Sequence, residues 1–165
     1  MRRLGMMLVV LTMAAGVGMW SSSKRASAAE DTEAAINRQF TGHWELVSFI
    51  SFAADGTERD MEYIGRITYD GVGNMTAQGM PKDLPERAAQ SSENVRGGFA
   101  YWGDVVYDVD NNIVIHKVKG SPSRGSWPGE DNIRYYEFDD GLLKLSMKDE
   151  TGRLTGTLTW RKLTE

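Results

Sequence analysis

The sequence predicts an all-β chain that folds as an antiparallel barrel or sandwich. Three observations carry this prediction. About eight runs of mostly alternating apolar and polar residues follow one another at short spacing from Gly42 onward. Turn signals such as Asp55-Gly56 and Asp139-Asp140-Gly141 separate several of these runs. Helix-forming composition is confined to two short stretches, residues 29–38 and 84–95, so little helix is expected.

The alternating runs give the predicted strands in order. The first has Trp44, Leu46 and Ser48 alternating with Glu45, Val47 and Phe49. Seven further runs follow, at residues 63–69, 74–80, 101–109, 113–119, 133–138, 142–147 and 154–161. The segment 81–98 interrupts this rhythm, and its Glu, Arg, Ala and Gln content indicates a short helical excursion or a flexible loop.

The N-terminus has the features of an export signal. Arg2 and Arg3 precede an apolar run over residues 4–20, and Ala26-Ser27-Ala28 provides a small-x-small cleavage motif. We therefore predict a signal peptide at residues 1–28, a lead-in at 29–40 and one barrel domain at 41–165. The expected location is the periplasm or the medium. The alternative is an uncleaved anchor, although the apolar run is short for crossing a membrane.

Composition excludes several classes of function. The chain has no cysteine, so disulfides, thiolate metal sites and cysteine nucleophiles are impossible. Its two histidines exclude an all-histidine metal triad within one chain, and neither a metal nor a cofactor is expected. The predicted signal peptide holds four of the 19 basic residues and none of the 23 acidic ones, so the mature chain has net charge −8. This acidity argues against a nucleic-acid partner and against a stable membrane anchor after cleavage.

Several short motifs resemble a known family. Gly42-His43-Trp44 followed by Glu45-Leu46-Val47-Ser48 resembles the start of a lipocalin-type barrel. Three later segments and the chain end are similar to the bacterial lipocalin-like domain family: Ile113-Val114-Ile115-His116, Asn132 to Glu137, Leu142 to Ser146, and Thr159-Trp160-Arg161. The resemblance covers residues 40–162 and implies a small calycin-like barrel with a cup. It also implies a structural closure in which Arg161 lies over the Trp44 ring.

The alternation of side chains in a closed barrel predicts which residues face the interior. Lys117 and Lys119 need water, so His116 should face inward. In the strand over 133–138 two sets compete, and we favour the set containing Arg134 and Tyr136 over the set containing Glu137. The predicted interior also includes Ser48, Tyr69, Tyr101 and Tyr107.

These inward residues form the predicted ligand site: Tyr101, Tyr107, His116, Arg134 and Tyr136, with Trp127 from the following loop as a candidate lid. An apolar cup with a few polar groups suits a small molecule. For His116 and Arg134 the alternative is a core role, with each side chain paired inside the protein. For Trp127 the alternative is a ring folded over the barrel edge.

Three functions remain open at this point. The first is an exported binding protein that holds a small hydrophobic or amphipathic molecule in the barrel. The second is a cofactor-free isomerase or cyclase, with His116 as the acid or base and Arg134 polarising an oxygen. The third is an interaction module with a fully packed barrel.

Overall fold

A computed structural model describes residue 30 and residues 32–83 and 97–164. The predicted signal peptide and the predicted excursion at 84–95 lie outside the described residues. Within the described part, no helix is long and apolar enough to cross a membrane.

The described residues form one helix and nine β-strands. Helix α1 covers residues 32–40. The strands are β1 (Gly42–Phe52), β2 (Glu58–Asp60), β3 (Tyr63–Tyr69), β4 (Asn74–Pro81), β5 (Phe99–Asp108), β6 (Ile113–Gly120), β7 (Asp131–Asp139), β8 (Leu142–Lys148) and β9 (Leu154–Lys162). Each of the eight predicted runs is present, and the strand bounds differ from the prediction by two residues or fewer.

The strands close into an antiparallel barrel. Neighbours in sequence pair with each other from β3 to β9, and β1 pairs with both β3 and β9. Strand β2 pairs with the second half of β1, beside the part that pairs with β3, so β2 and β3 together fill one position in the ring. The result is a closed eight-stranded barrel, which confirms the predicted fold class and excludes an open sandwich.

Strand β2 is absent from the prediction. Its three residues, Glu-Arg-Asp, are all exposed and have no alternation of apolar and polar side chains. Only its pairing with β1 makes this segment a strand, and periodicity cannot detect such a segment.

The prediction that Ser48 faces inward is wrong. The register between β1 and β9 shifts between Leu46 and Ser48, which is the signature of a β-bulge at Val47. Past the bulge Ser48 lies opposite Thr159, and Phe49 lies opposite the buried Leu158. Phe49 therefore takes the inward place and packs against the core.

Helix α1 closes one end of the barrel, and we call this the helix end. Phe40 is fully buried and contacts the rings of Tyr69, Tyr107, Tyr136 and Phe138 at centroid distances of 5.0 to 5.2 Å. The Asn37 amide donates to the Gly71 carbonyl in the β3–β4 turn. The lead-in predicted at 29–40 thus contributes the plug of the barrel core.

The closure residues differ from the expectation. Trp44 is buried, and its indole N–H donates to the Phe40 carbonyl at 2.8 Å. The cation over its ring is Lys162, with Nζ 5.1 Å from the centroid, and the predicted contact with Arg161 is wrong. Arg161 lies opposite Glu45 on the outer face of β1 and β9 and pairs with that carboxylate. Residues that face each other across a ladder share a face, so Arg161 cannot reach the inner ring.

Candidate functional site: the polar groups inside the barrel

A histidine between two tyrosines lies at the centre of the barrel. His116 on β6 is fully buried. Its Nε2 is 2.9 Å from the hydroxyl of Tyr69 on β3, and its Nδ1 is 2.9 Å from the hydroxyl of Tyr101 on β5. Both ring nitrogens are therefore hydrogen-bonded within the protein.

Burial keeps this histidine neutral. Loss of solvation, with a smaller contribution from the Arg134 charge, lowers the pKa of His116 from 6.5 to about 3. The same burial raises the pKa of Tyr69 and of Tyr101. At neutral pH the ring carries one proton, which it shares with a phenol. These contacts match the core alternative for His116 and do not favour a role as acid or base near neutral pH.

Arg134 lies on the inner side of β7. It faces Val114 across the β6–β7 ladder, and Val114 is fully buried. Arg134 is half-buried, and its Nη1 donates to the carbonyl of Ile133 at 2.7 Å. No carboxylate in the described part of the chain pairs with it.

The other predicted site residues divide between two places. Tyr107 and Tyr136 lie at the helix end against Phe40, and the Tyr107 hydroxyl is 3.3 Å from Asn37 Oδ1. The Trp127 ring lies edge-on against the ring of Tyr101, at a centroid distance of 5.3 Å. The Arg124 guanidinium lies over the Trp127 ring. The Trp127 ring is thus folded over the barrel, above the tyrosine that binds His116.

Sequence reasoning missed two residues of this interior. Asn132 lies two residues before Arg134, so the alternation of side chains places both on the inner side of β7. In the β6–β7 ladder Asn132 lies opposite His116. Asn37 is polar and lies on the helix, and no pattern in the sequence indicates that it reaches the barrel. The alternation could have identified Asn132, whereas only the docking of α1 identifies Asn37.

Several buried polar atoms have no hydrogen-bond partner among the described residues. They are Asn132 Nδ2, the Tyr136 hydroxyl and Trp160 Nε1. Asn132 nevertheless lies near enough to the Tyr101 hydroxyl to oppose the burial that raises the pKa of Tyr101. Buried polar groups in proteins are nearly always paired, so each such atom indicates a group that something else can satisfy. Two of the three belong to β7, the strand that also carries Arg134.

Two clefts lie along the outer wall formed by β3, β4 and β5. Their volumes are about 650 and 620 Å³, and Arg66, Gln78, Ala100 and Pro122 line both. His116, Arg134, Tyr107 and Tyr136 line neither of them. The outer wall is therefore a second location to be tested against the interior.

Metal binding has no support in the described residues, where no three histidine, aspartate or glutamate side chains come together as ligands. Both ring nitrogens of His116, the buried histidine, are hydrogen-bonded to tyrosine hydroxyls.

No family model and no curated protein matches the chain. Among solved structures, a lipocalin-like protein from Bacteroides uniformis ATCC 8492 is similar over 76% of this chain and 99% of its own. The sequence identity is 16% and the TM-score 0.45. The closed eight-stranded antiparallel barrel, with β1 paired to β9, is that of a lipocalin-like, calycin-type fold.

Proposed function

We propose that this protein is exported and binds a small amphipathic molecule inside its barrel. A barrel of eight strands is wide enough to be filled by side chains or to hold one small ligand. The observation that carries the proposal is a set of polar groups on the inner side of β7. Asn132 Nδ2 and the Tyr136 hydroxyl have no hydrogen-bond partner among the described residues, and Arg134, which donates to the Ile133 carbonyl, pairs with no carboxylate there. An interior that only had to be packed would have apolar side chains at these positions.

The surroundings of these groups supply the apolar part of a site. Val105 faces His116 across the β5–β6 ladder and packs against the core. Met147 and Phe49 pack against the same core from β8 and β1. A ligand with an apolar body and one polar end matches this arrangement.

Binding is tested by a titration with 1-anilinonaphthalene-8-sulfonate, an amphipathic fluorescent probe. We compare Val105→Phe, which adds volume inside the barrel, with Val106→Phe, which adds it outside. The neighbouring positions make this a matched pair, since Val106 is on the outer face and 39% exposed. The interior variant should lose probe binding, and the exterior variant should keep it, provided that both melt cooperatively.

A third variant tests the outer wall. Ala100 lines both clefts there. If Ala100→Phe abolishes probe binding and Val105→Phe does not, the ligand occupies the outer wall and the interior site is wrong. Native mass spectrometry of protein purified from its own host provides the natural ligand, and a small molecule retained on the folded protein is the expected result.

Export has its own test. The predicted cleavage after Ala28 leaves Ala29 as the mature N-terminus. N-terminal sequencing of the protein isolated from its host should find a start near Ala29 in the periplasmic or extracellular fraction. A membrane-bound chain that starts at Met1 would show that the segment is an anchor.

A further inference from the structure

An exposed tryptophan borders the smaller of the two clefts on the outer wall, the one of about 620 Å³, which we call the Trp102 cleft. Trp102 on β5 is 50% exposed, although tryptophan side chains are highly buried on average. Its ring lies against Gly120 on β6, where an added Cβ would overlap the six-membered ring. No cation and no other aromatic ring packs on this indole among the described residues. The indole therefore has a fixed place and an open surface.

The loop after β6 forms a wall of the Trp102 cleft and is anchored to the backbone of β5. The Ser121 hydroxyl donates to the Ala100 carbonyl at 2.7 Å, and the Ala100 N–H donates to the Ser123 hydroxyl at 2.8 Å. The β5–β6 ladder begins only at Trp102, so these two serines take the place of a strand partner for Ala100. Pro122, between them, lines the cleft. A wall held in this way needs little ordering when a ligand binds, which favours affinity.

A straight row of hydrogen-bonding side chains extends across the strands from Trp102. Thr76 lies opposite Trp102 in the β4–β5 ladder, and Thr68 lies opposite Thr76 in the β3–β4 ladder. His43 on β1 lies opposite Thr68, and its Nδ1 is 3.0 Å from the Thr68 hydroxyl. That bond leaves Nε2 of His43 for another partner. Four strands at a spacing of about 4.8 Å make this row about 14 Å long.

The charges at the Trp102 cleft are balanced within the protein. Arg66 is the only lysine, arginine or acidic side chain that lines this cleft in the described part of the chain, and it pairs with Glu45 at 3.0 Å. Gln78, opposite Arg66 in the β3–β4 ladder and Ala100 in the β4–β5 ladder, adds an exposed neutral amide beside the row. The cleft thus suits a ligand that has hydrogen-bonding groups along its length and no net charge.

We propose that the Trp102 cleft binds an uncharged linear saccharide, with one sugar ring on the Trp102 indole and the next rings along the row toward His43. A sugar ring has an apolar face of C–H groups that packs on an indole, and its edge carries hydroxyls that donate and accept hydrogen bonds. A β-1,4-linked glucose chain is extended and flat, whereas an α-1,4-linked chain curves, so the β-linked chain fits a straight row. This site is on the outer face and does not depend on binding inside the barrel.

The test compares two glucose hexasaccharides that differ only in their linkage. Isothermal titration calorimetry at pH 7 measures binding of the β-linked cellohexaose and of the α-linked maltohexaose. The wild type should bind cellohexaose at least about tenfold more tightly than maltohexaose. Trp102→Ala should weaken cellohexaose binding at least about tenfold, because it removes the surface on which a sugar ring packs. Trp102→Phe keeps a flat ring and should keep most of the affinity.

The matched control is Val106→Ala, which truncates another exposed apolar side chain on the outer face of β5, outside the cleft. It should leave cellohexaose binding unchanged, as should Val105→Phe in the interior. Ala100→Phe fills the cleft and should abolish binding, which keeps the test valid even if Trp102→Ala fails to fold.

Three results would overturn the saccharide site and leave the proposed function standing. They are a wild type that binds neither hexasaccharide, unchanged binding by Trp102→Ala, and maltohexaose binding as tight as that of cellohexaose. Loss of cellohexaose binding in Val105→Phe but not in Ala100→Phe would place the saccharide inside the barrel and overturn the outer site.

Discussion

His116 shows how burial changes the chemistry available to a side chain. A histidine on an inward strand position is compatible with acid–base catalysis, with ligand contact or with a core role. The two tyrosine hydroxyls at 2.9 Å and the lowered pKa select the core role. Arg134, which has no carboxylate partner among the described residues, and the buried Asn132 amide are the polar groups on which the proposed binding depends.

This histidine predicts a dependence of stability on pH. The unfolded chain takes up a proton near pH 6.5, whereas folded His116 takes one up only near pH 3. The unfolded state therefore binds more protons between these values, and the free energy of unfolding falls as the pH is lowered through this window. The slope is at most about 1.4 kcal/mol per pH unit.

Urea unfolding between pH 7 and pH 4 measures this slope. His116→Gln should reduce the slope whatever its own stability, and His43→Gln on the surface should leave it unchanged. An equal slope in the wild type and in His116→Gln would show that other groups cause the acid sensitivity.

Helix α1 shows how an element with weak sequence signals contributes to the core. Its Phe40 packs at the helix end against four aromatic rings. The backbone N–H and the hydroxyl of Thr41 both donate to the Asn37 carbonyl in the last turn of the helix. The helix has about ten residues, too few to be stable alone in water. Packing against the barrel is what holds it in place.

Replacing Phe40 by alanine should therefore be costly. Removal of a fully buried aromatic side chain leaves a cavity, and such changes cost roughly 3–5 kcal/mol. Thermal unfolding should show a large fall in melting temperature. The neighbouring Gln39→Ala, at an exposed helix position, is the control and should melt close to the wild type. A mild effect of Phe40→Ala would mean that α1 is not part of the folded core.

Strands β5 and β6 approach each other closely at Gly103. A Cβ on Gly103 would lie 1.9 Å from the Lys117 carbonyl oxygen, where the ladder has an irregularity beside Trp102. Backbone cannot yield as a side chain does, so Gly103→Ala should destabilise the barrel by roughly 1–3 kcal/mol or more.

Gly125→Ala is the matched control for Gly103→Ala. Nothing lies within 4 Å of the corresponding Cβ position, and the backbone there has no left-handed φ. Chemical denaturation should show a lower free energy of unfolding for Gly103→Ala and an unchanged one for Gly125→Ala. Equal stability of both would show that the strands separate to accept the methyl group.

The described part of the chain is one ring of strands around one core. The pairing of β1 with β9 joins the two ends of the domain. The buried core residues come from the helix and from all eight barrel strands, β1 and β3 to β9. Such a closed ring has no part that keeps its contacts when another part opens.

Unfolding should accordingly be a single cooperative transition. Tryptophan fluorescence reports on Trp44, Trp102, Trp127 and Trp160, which lie on β1, β5, the β6–β7 loop and β9. Far-ultraviolet circular dichroism reports on the strands. The two midpoints in urea should coincide. Separate midpoints would show that the barrel unfolds in parts.

The strands and their inward faces could be predicted from the sequence because both depend on local alternation. Strand β3 runs from Tyr63 to Tyr69 as predicted, and the buried faces containing Tyr69, Tyr101 and His116 follow the same period. Resemblance of short motifs then selected a barrel over a sandwich, and the β1–β9 ladder confirms that choice.

The tertiary structure decided what depends on contacts between distant residues. The bulge at Val47 places Phe49 on the inner side of β1 in the position predicted for Ser48, because strand pairing and not composition sets the register between β1 and β9. The same register places Lys162, and not the predicted Arg161, over the Trp44 ring. Which inward polar groups are paired and which are free also depends on these contacts. Two phenols from other strands satisfy His116, whereas Arg134 donates to a backbone carbonyl and has no counter-ion among the described residues. Alternation gives the side of a strand on which a residue lies, and only the folded barrel gives its partner.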